Sequence, residues 1–146
     1  MDPNDLLVAP LAGAVDPALL VLRVFIGVCF IVHALGKLGI VGPGNMAGFT
    51  SWLASEGLPF PALQARMAML AELLGGACLV LGLLTRPACA LLFGTMVVAA
   101  RVGHKGGGYL ITNDPPGAEY AINLAMICVV LGWLGPGRYS LDALLF

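Results

Sequence analysis

Four long stretches of almost uninterrupted apolar residues dominate the chain, and short segments rich in glycine, proline and polar residues separate them. The apolar stretches extend over about 17–38, 61–84, 86–103 and 119–134. A helix that crosses the hydrocarbon core of a bilayer needs about 20 mainly apolar residues. The pattern therefore predicts an all-α fold, an integral membrane four-helix bundle that forms one domain over residues 1–146.

The connections between the apolar stretches predict how the four helices are arranged. The segment "LTRPA" between the second and third stretches is short enough only for a tight hairpin, so these helices are antiparallel neighbours. An even number of spans places the N- and C-termini on the same side of the membrane. The two long connections, about 39–60 and 104–118, then lie on the other side. In the first of them, "NMAGFTSWLAS" predicts a short interfacial helix with Asn45 as its N-cap and Trp52 as its anchor.

Signals at the two ends of the chain complete the prediction of the elements. The first sixteen residues carry three aspartates and no lysine or arginine, which is the wrong charge for a cleaved secretory signal. The first apolar stretch is therefore predicted to be a permanent span, with Asp16 as its N-cap. After the last stretch, "GPGRYSLDALLF" predicts a turn and a short terminal helix capped by Ser140.

Composition supports a membrane protein and excludes one class of partner. The chain is 60% hydrophobic and 10% charged, and its mean hydropathy is +0.97. These values predict the lipid bilayer as its surroundings. A net charge of -1 and the lack of any basic run argue against nucleic acid as a partner. The four cysteines lie in apolar stretches without a C-x-x-C pair, so we interpret them as small apolar residues and not as a thiol–disulfide centre.

Ionisable side chains are distributed unevenly along the predicted helices. Most of them fall in the half of each helix next to the long connections, whereas Arg23 and Arg86 alone belong to the other half. The residues of the first group are His33, Lys37, Arg66, Glu72, Arg101, His104 and Glu119, with Lys105 just beyond. Because they come from all four helices, the asymmetry predicts a polar pocket within one leaflet.

Glu72 is the ionisable residue with the deepest predicted position. It follows Pro61 by eleven residues, which is about 16 Å at roughly 1.5 Å per residue and close to the bilayer midplane. A charge at that depth costs roughly 2.5–3.5 kcal/mol on insertion scales, so Glu72 must be protonated, paired with a cation or exposed to a wet cavity. The candidate partners are Lys37, Arg23, Arg101 and His33. The alternative is an ion pair that only holds helices together.

Two histidines, His33 and His104, offer further chemistry. Each can handle protons, ligate a metal or serve as a hydrogen-bonded packing residue. With Glu72 or Glu119 they would supply two nitrogen and two oxygen ligands, but these donors come from separate helices without a short metal-binding motif. No metal site is therefore predicted.

Three motifs in a fixed order carry a family resemblance. They are "LRVFIGVCFIVHALGKL" in the first span, "AELLGGACLVLGLLTRPA" in the second, and "GPGRYSLDALL" near the end. Over about 17–146 the chain resembles the DoxX family of small four-span membrane proteins. The resemblance implies a four-helix, multi-pass protein of the bacterial cytoplasmic (inner) membrane. It also implies a link to thiosulfate:quinone oxidoreduction and to membrane oxidoreductase complexes that counter oxidative stress.

These observations lead to two competing hypotheses and a weaker third. In the first, the chain is a small subunit of a redox complex that binds a quinone-like molecule in the polar pocket. Its catalytic residues would be Glu72, His33 and Lys37, and its ligand-binding residues Arg23, His104, Arg101 and Glu119.

No flavin, haem or iron–sulfur motif is recognisable in the sequence, so electrons would come from other membrane subunits, with self-association as a further option. In the second hypothesis the chain is a non-catalytic structural or assembly subunit. The third, a transporter or ion pathway, lacks the inverted repeat and interrupted spans that such proteins show. Counting lysines and arginines favours long connections in the cytoplasm, but the counted residues are pocket candidates, so the orientation stays open.

Overall fold

The structure is a computed structural model that describes residues 13–146; the leader before Gly13 lies outside this range. The described residues form helices and no strand, which confirms the all-α prediction. The six helices are α1 (Val15–Leu38), α2 (Met46–Ser55), α3 (Pro61–Leu81), α4 (Thr85–Val102), α5 (Glu119–Leu134) and α6 (Asp142–Leu145). The short helix in the first long connection and the terminal helix are therefore both present.

Helix length separates the four predicted spans into two groups. Within residues 13–146, α1, α3 and α4 are long and apolar enough to cross a membrane. Helix α5 is also apolar but has 16 residues, a length of about 24 Å at roughly 1.5 Å per residue, less than a hydrocarbon core of about 30 Å. A crossing by α5 stays a prediction.

Helix ends follow the capping signals only in part. The Asn45 side chain accepts a hydrogen bond from the Gly48 N–H at 2.8 Å, as predicted for the N-cap of α2. Asp16 is not the N-cap of α1, because the helix begins one residue earlier. Its carboxylate instead accepts a hydrogen bond from the Arg138 N–H at 2.9 Å, which ties the start of α1 to the C-terminal segment.

Helices α1 and α3 approach each other until their backbones touch. A Cβ atom added to Gly27 would lie 2.6 Å from the Gly76 carbonyl oxygen. One added to Gly76 would lie 2.7 Å from the Gly27 carbonyl oxygen. Such close approach is available only to residues without a side chain, and it is a common way of packing helices in membranes. This pair of glycines therefore sets how α1 crosses α3.

The remaining helices extend this pair into a bundle. Helix α3 packs against α4, and α4 packs against α5, while α2 lies over the start of α3. The shared core consists of apolar side chains, among them Ile26, Phe30, Leu79, Leu92, Met96, Leu124 and Leu131. All four cysteines are free, and Cys89 and Cys128 are buried in this core. They serve there as small apolar residues.

The C-terminal segment folds back over the Leu83–Leu84 turn and closes that end of the bundle. Arg23, 1% exposed, donates hydrogen bonds to the Pro136 carbonyl at 2.8 Å and to the Tyr139 carbonyl at 2.6 Å. Asp142 accepts hydrogen bonds from the backbone N–H groups of Leu84 at 2.6 Å and Thr85 at 2.9 Å. We call this the hairpin end of the bundle.

Asp142 acts as the anionic partner at the hairpin end. Burial raises the pKa of the Asp142 carboxyl, but hydrogen bonds from Thr85 and Leu84 and the positive charge of Arg23 outweigh burial and lower the pKa overall. The carboxylate therefore stays ionised at the N-terminus of α4, where a negative charge is favourable.

The opposite end of the bundle carries both long connections, and we call it the loop end. The Trp52 ring lies 3.7 Å from the position that a Cβ atom on Gly103 would occupy, so α2 reaches across to the end of α4. The described parts of both terminal segments lie at the hairpin end instead, as the contact between Asp16 and Arg138 shows. That this end of the bundle lies on one side of the membrane, with both termini, stays a prediction.

We expect Gly27→Ala to destabilise the protein by about 1–3 kcal/mol, because the added methyl group meets backbone atoms that cannot move aside. The matched control is Gly94→Ala, since a Cβ atom there meets nothing within 4 Å. That variant should be neutral or more stable by up to about 1 kcal/mol from helix propensity. Unfolding of the detergent-solubilised variants measures both effects. Equal losses in the two variants would contradict the backbone contact.

Candidate functional site

Glu72 of α3 forms an ion pair with Lys37 in the last turn of α1. The Lys37 Nζ donates a hydrogen bond to the Glu72 Oε2. The Glu72 side chain is only 5% exposed and that of Lys37 is 19% exposed. Of the four candidate partners, Lys37 is therefore the one that Glu72 contacts. The pair lies toward the loop end from the Gly27–Gly76 contact, which aligns the two helices.

Two aromatic side chains of α2 cover the ion pair. The Lys37 ammonium lies 5.3 Å from the centre of the Phe49 ring, within the range of a cation–π interaction. The Phe49 ring stacks on Trp52 with their centres 5.9 Å apart and an angle of 14° between the ring planes. Helix α2 therefore provides Lys37 with a second partner besides Glu72.

A cleft of about 650 Å³ opens beside the ion pair, between α2, α3 and α4. Lys37 and Glu72 lie at its wall, and most of its other lining residues are apolar. We define this lipid-side cleft by Met67, Ala71, Leu91, Gly94 and Val98 together with the ion pair.

The direction in which the cleft opens follows from its exposed lining residues. Met67, Leu91 and Val98 are exposed on the outer surface of α3 and α4. The apolar surface of these predicted spans faces lipid. At the loop end, Trp52 covers the cleft because it reaches Gly103. The cleft therefore opens sideways, toward the hydrocarbon.

The two histidines lie on different sides of the ion pair. His104 lines the lipid-side cleft, and its Nδ1 lies 3.0 Å from the Pro116 carbonyl oxygen, so it also holds the second long connection. His33 lies outside the cleft, one helical turn before Lys37, and its Nε2 is 2.9 Å from the Tyr120 hydroxyl of α5.

Three of the predicted ligand-binding residues lie away from the cleft. Arg23 is at the hairpin end, where it holds the C-terminal segment. Arg101 is exposed and makes no side-chain hydrogen bond or ion pair with any residue of the described range. Glu119 accepts a hydrogen bond from the Ile111 N–H at 3.1 Å and so shapes the second long connection. The geometry thus brings together Lys37, Glu72 and His104, with His33 adjacent.

Sequence reasoning missed three aromatic residues of the site. It placed Phe49 and Trp52 on the apolar face of the interfacial helix, with Trp52 as the anchor, and it gave Tyr120 no role. The spacing of Phe49 and Trp52 on one face of α2 was a usable signal, because an apolar helix face packs against another part of the protein or against lipid. No comparable signal marked Tyr120, because its contact with His33 joins helices that are far apart in sequence.

Metal-ligating side chains do not cluster in the part of the chain that the structure describes. Across residues 13–146, no group of three or more His, Cys, Asp or Glu residues is arranged to hold a metal ion. The chemistry available at the site is therefore that of one ammonium, one carboxylate, two imidazoles and an apolar wall.

Comparison with known proteins places this architecture in a family. The DoxX family model matches residues 18–105, a stretch that contains both Lys37 and Glu72. The chain belongs to the DoxX family. The membrane-protein prediction and the family resemblance are thereby confirmed.

Two relatives cover nearly the same length as this DoxX protein. It is 29% identical over 136 residues to the inner membrane protein YphA of Escherichia coli, covering 89% of this chain and 92% of the relative. It is 27% identical over 137 residues to the uncharacterized membrane protein Rv3486 of Mycobacterium tuberculosis, and this match covers 86% of this chain and 80% of the relative. No solved structure matches the chain significantly.

We expect Glu72→Leu to destabilise the protein by about 3 kcal/mol, because it leaves the Lys37 ammonium without its carboxylate. The double variant Lys37→Leu/Glu72→Leu should recover most of that loss, since it removes both charges together. Thermal unfolding in detergent measures each variant, and the exposed Lys105→Met is the control. The single variant Lys37→Leu completes the comparison, and a double variant whose loss equals the sum of the two single losses would contradict the pairing.

Proposed function

We propose that this DoxX protein is a small subunit of a membrane redox complex and binds a quinone or a similar amphipathic molecule in the lipid-side cleft. One observation supports the proposal above all. An ammonium–carboxylate pair, the partly buried Lys37 with the buried Glu72, lies at the wall of a mainly apolar cleft that opens toward lipid. A molecule that fits such a site carries a polar head and an apolar body, and it reaches the site from the bilayer.

The dimensions and the lining of the cleft suit this class of ligand. A volume of about 650 Å³ lies within the range of roughly 300–1,000 Å³ that is usual for small-molecule sites. The Lys37 ammonium can donate a hydrogen bond to a ring carbonyl oxygen, and the Phe49 ring offers an aromatic surface beside it. Exposed side chains of α3 and α4, such as Met67 and Val98, would contact the tail.

The ion pair also has the chemistry that quinone reduction requires. Conversion of a quinone to a quinol consumes two electrons and two protons. Lys37 can supply a proton to a carbonyl oxygen, and Glu72 holds the ammonium in place and stabilises its charge. The electrons come from a partner protein in the proposed complex.

The second candidate function is that of a structural subunit, and the same ion pair is the observation that favours it. Lys37 and Glu72 connect α1 to α3. An ion pair between two helices can have no role beyond fixing how those helices pack. This alternative requires no ligand in the cleft.

Binding of a decyl-benzoquinone to the purified protein in nanodiscs tests the proposal. We expect saturable binding to the wild type. Gly94→Leu should weaken it by at least about tenfold, or 1.4 kcal/mol, because the side chain enters the cleft. The control is Ala62→Leu, which introduces the same side chain at an exposed position of α3 outside the cleft and should bind like the wild type.

The outcomes separate the two candidate functions. Absence of saturable binding in the wild type, or an equal loss in the Gly94→Leu and Ala62→Leu variants, would refute a ligand in the cleft. If the Lys37→Leu/Glu72→Leu variant is folded and binds the quinone as the wild type does, the ion pair is structural and does not hold the head group.

A further inference from the structure

A second cavity lies on the other side of Lys37 from the lipid-side cleft. It measures about 630 Å³ and lies between α1, α2 and the connection that joins them. We define this loop-side cavity by Val32, His33, Gly36, Gly44 and Asn45. Lys37, Phe49 and Trp52 line both spaces and therefore form the partition between them.

The two cavities differ in what surrounds their openings. The lipid-side cleft opens past exposed apolar side chains of two predicted spans. The loop-side cavity opens past Val41, Pro43, Gly44 and Asn45, exposed residues of the connection at the loop end. A connection between helices carries backbone groups that need water or other polar partners. The loop-side cavity therefore faces the aqueous phase.

Polar side chains are also divided between the two cavities. Glu72 lines the cleft but not the loop-side cavity, and His33 lines the loop-side cavity but not the cleft. Lys37 is the charged residue that reaches both, and it lies one helical turn from His33 on the same face of α1. The charged and titratable groups around His33 are Cys29 and Lys37 on α1, Glu72 on α3 and Tyr120 on α5.

We propose that the loop-side cavity is a water-filled passage through which bulk protons reach Lys37, with His33 as the proton-exchanging group on its wall. The role of these protons rests on the proposed function; the hydration of the cavity does not. The ligand enters from the lipid, and the proton enters from the water on the other side of the Phe49–Trp52 partition.

The proton balance of this arrangement is simple. A ligand oxygen first takes a proton from the Lys37 ammonium. The resulting Lys37 amine then takes a proton from the His33 imidazolium through water in the cavity. The His33 imidazole finally recovers its proton from bulk water. One bulk proton reaches the ligand in each cycle. Reduction of a quinone to a quinol takes two cycles, and a partner electron-transfer protein supplies the two electrons.

Thiol labelling in nanodiscs, which expose both membrane faces, tests whether the cavity is wet. Val32→Cys places a thiol in the loop-side cavity and Val98→Cys places one in the lipid-side cleft. The two valines are similarly exposed, at 44% and 52%. Cys29 and Cys78, the partly exposed native thiols, are replaced by alanine in both variants.

We expect a charged methanethiosulfonate to label Val32→Cys roughly tenfold faster or more, because only a hydrated thiol ionises readily. If only the distance from the membrane surface mattered, Val98→Cys would be labelled faster, because Val98 lies nearer the loop end of its helix than Val32 does. Equal rates, or faster labelling of Val98→Cys, would overturn the proposal.

Nuclear magnetic resonance of labelled histidine tests the part played by His33. The chain has two histidines, so a His104→Gln variant assigns the signals. We expect the His33 ring resonances to follow bulk pH across the range in which imidazole titrates, with a midpoint that changes in Lys37→Met. Resonances that do not respond to bulk pH would overturn the role of His33. A titration that Lys37→Met leaves unchanged would overturn the connection to Lys37.

These results are independent of the quinone test. A wet cavity in a protein that binds no quinone would leave the passage in place and refute only the proposed function. A dry cavity in a protein that binds quinone would refute only the passage.

Discussion

The contact between the backbones of Gly27 and Gly76 is the constraint on which the rest of the structure depends. Because neither residue has a side chain, the backbone of each helix can approach the carbonyl oxygen of the glycine on the other helix. That crossing brings the last turn of α1 over the middle of α3 and so places Lys37 beside Glu72. A carboxylate this deep in an apolar helix needs a proton, a wet cavity or a cationic partner, and Lys37 supplies the last of these. The ion pair is therefore a consequence of how two glycines pack.

The two ends of the bundle handle buried charge in opposite ways. At the hairpin end, Arg23 is enclosed by carbonyl groups of the C-terminal segment and by the charge of Asp142, and it holds that segment in place. At the loop end, Lys37 borders both cavities and Glu72 borders the lipid-side cleft. Arg23 therefore fastens the C-terminal segment, whereas Lys37 borders space that a ligand or water can enter.

The hydropathy pattern predicted most of the fold, because helix length and apolar content follow directly from it. The uneven placement of ionisable residues predicted that the site lies at the loop end, and Lys37 was among the candidate partners of Glu72. The hypothesis of a ligand-binding pocket also included Arg23, Arg101 and Glu119, although the structure places them elsewhere. Depth along a helix is readable from sequence, but the direction in which a side chain points around the bundle is not.

The sequence by itself determined the class of protein, the number and approximate bounds of its helices, its family, and the half of the molecule that carries the charges. Only the tertiary structure decided which cation meets Glu72, that Phe49 and Trp52 divide two cavities, and that His33 meets Tyr120. The physical reason is the range of the interactions. Hydropathy and helix formation depend on residues within a few turns of one another, whereas these contacts join helices whose relative rotation is set by packing across the whole bundle.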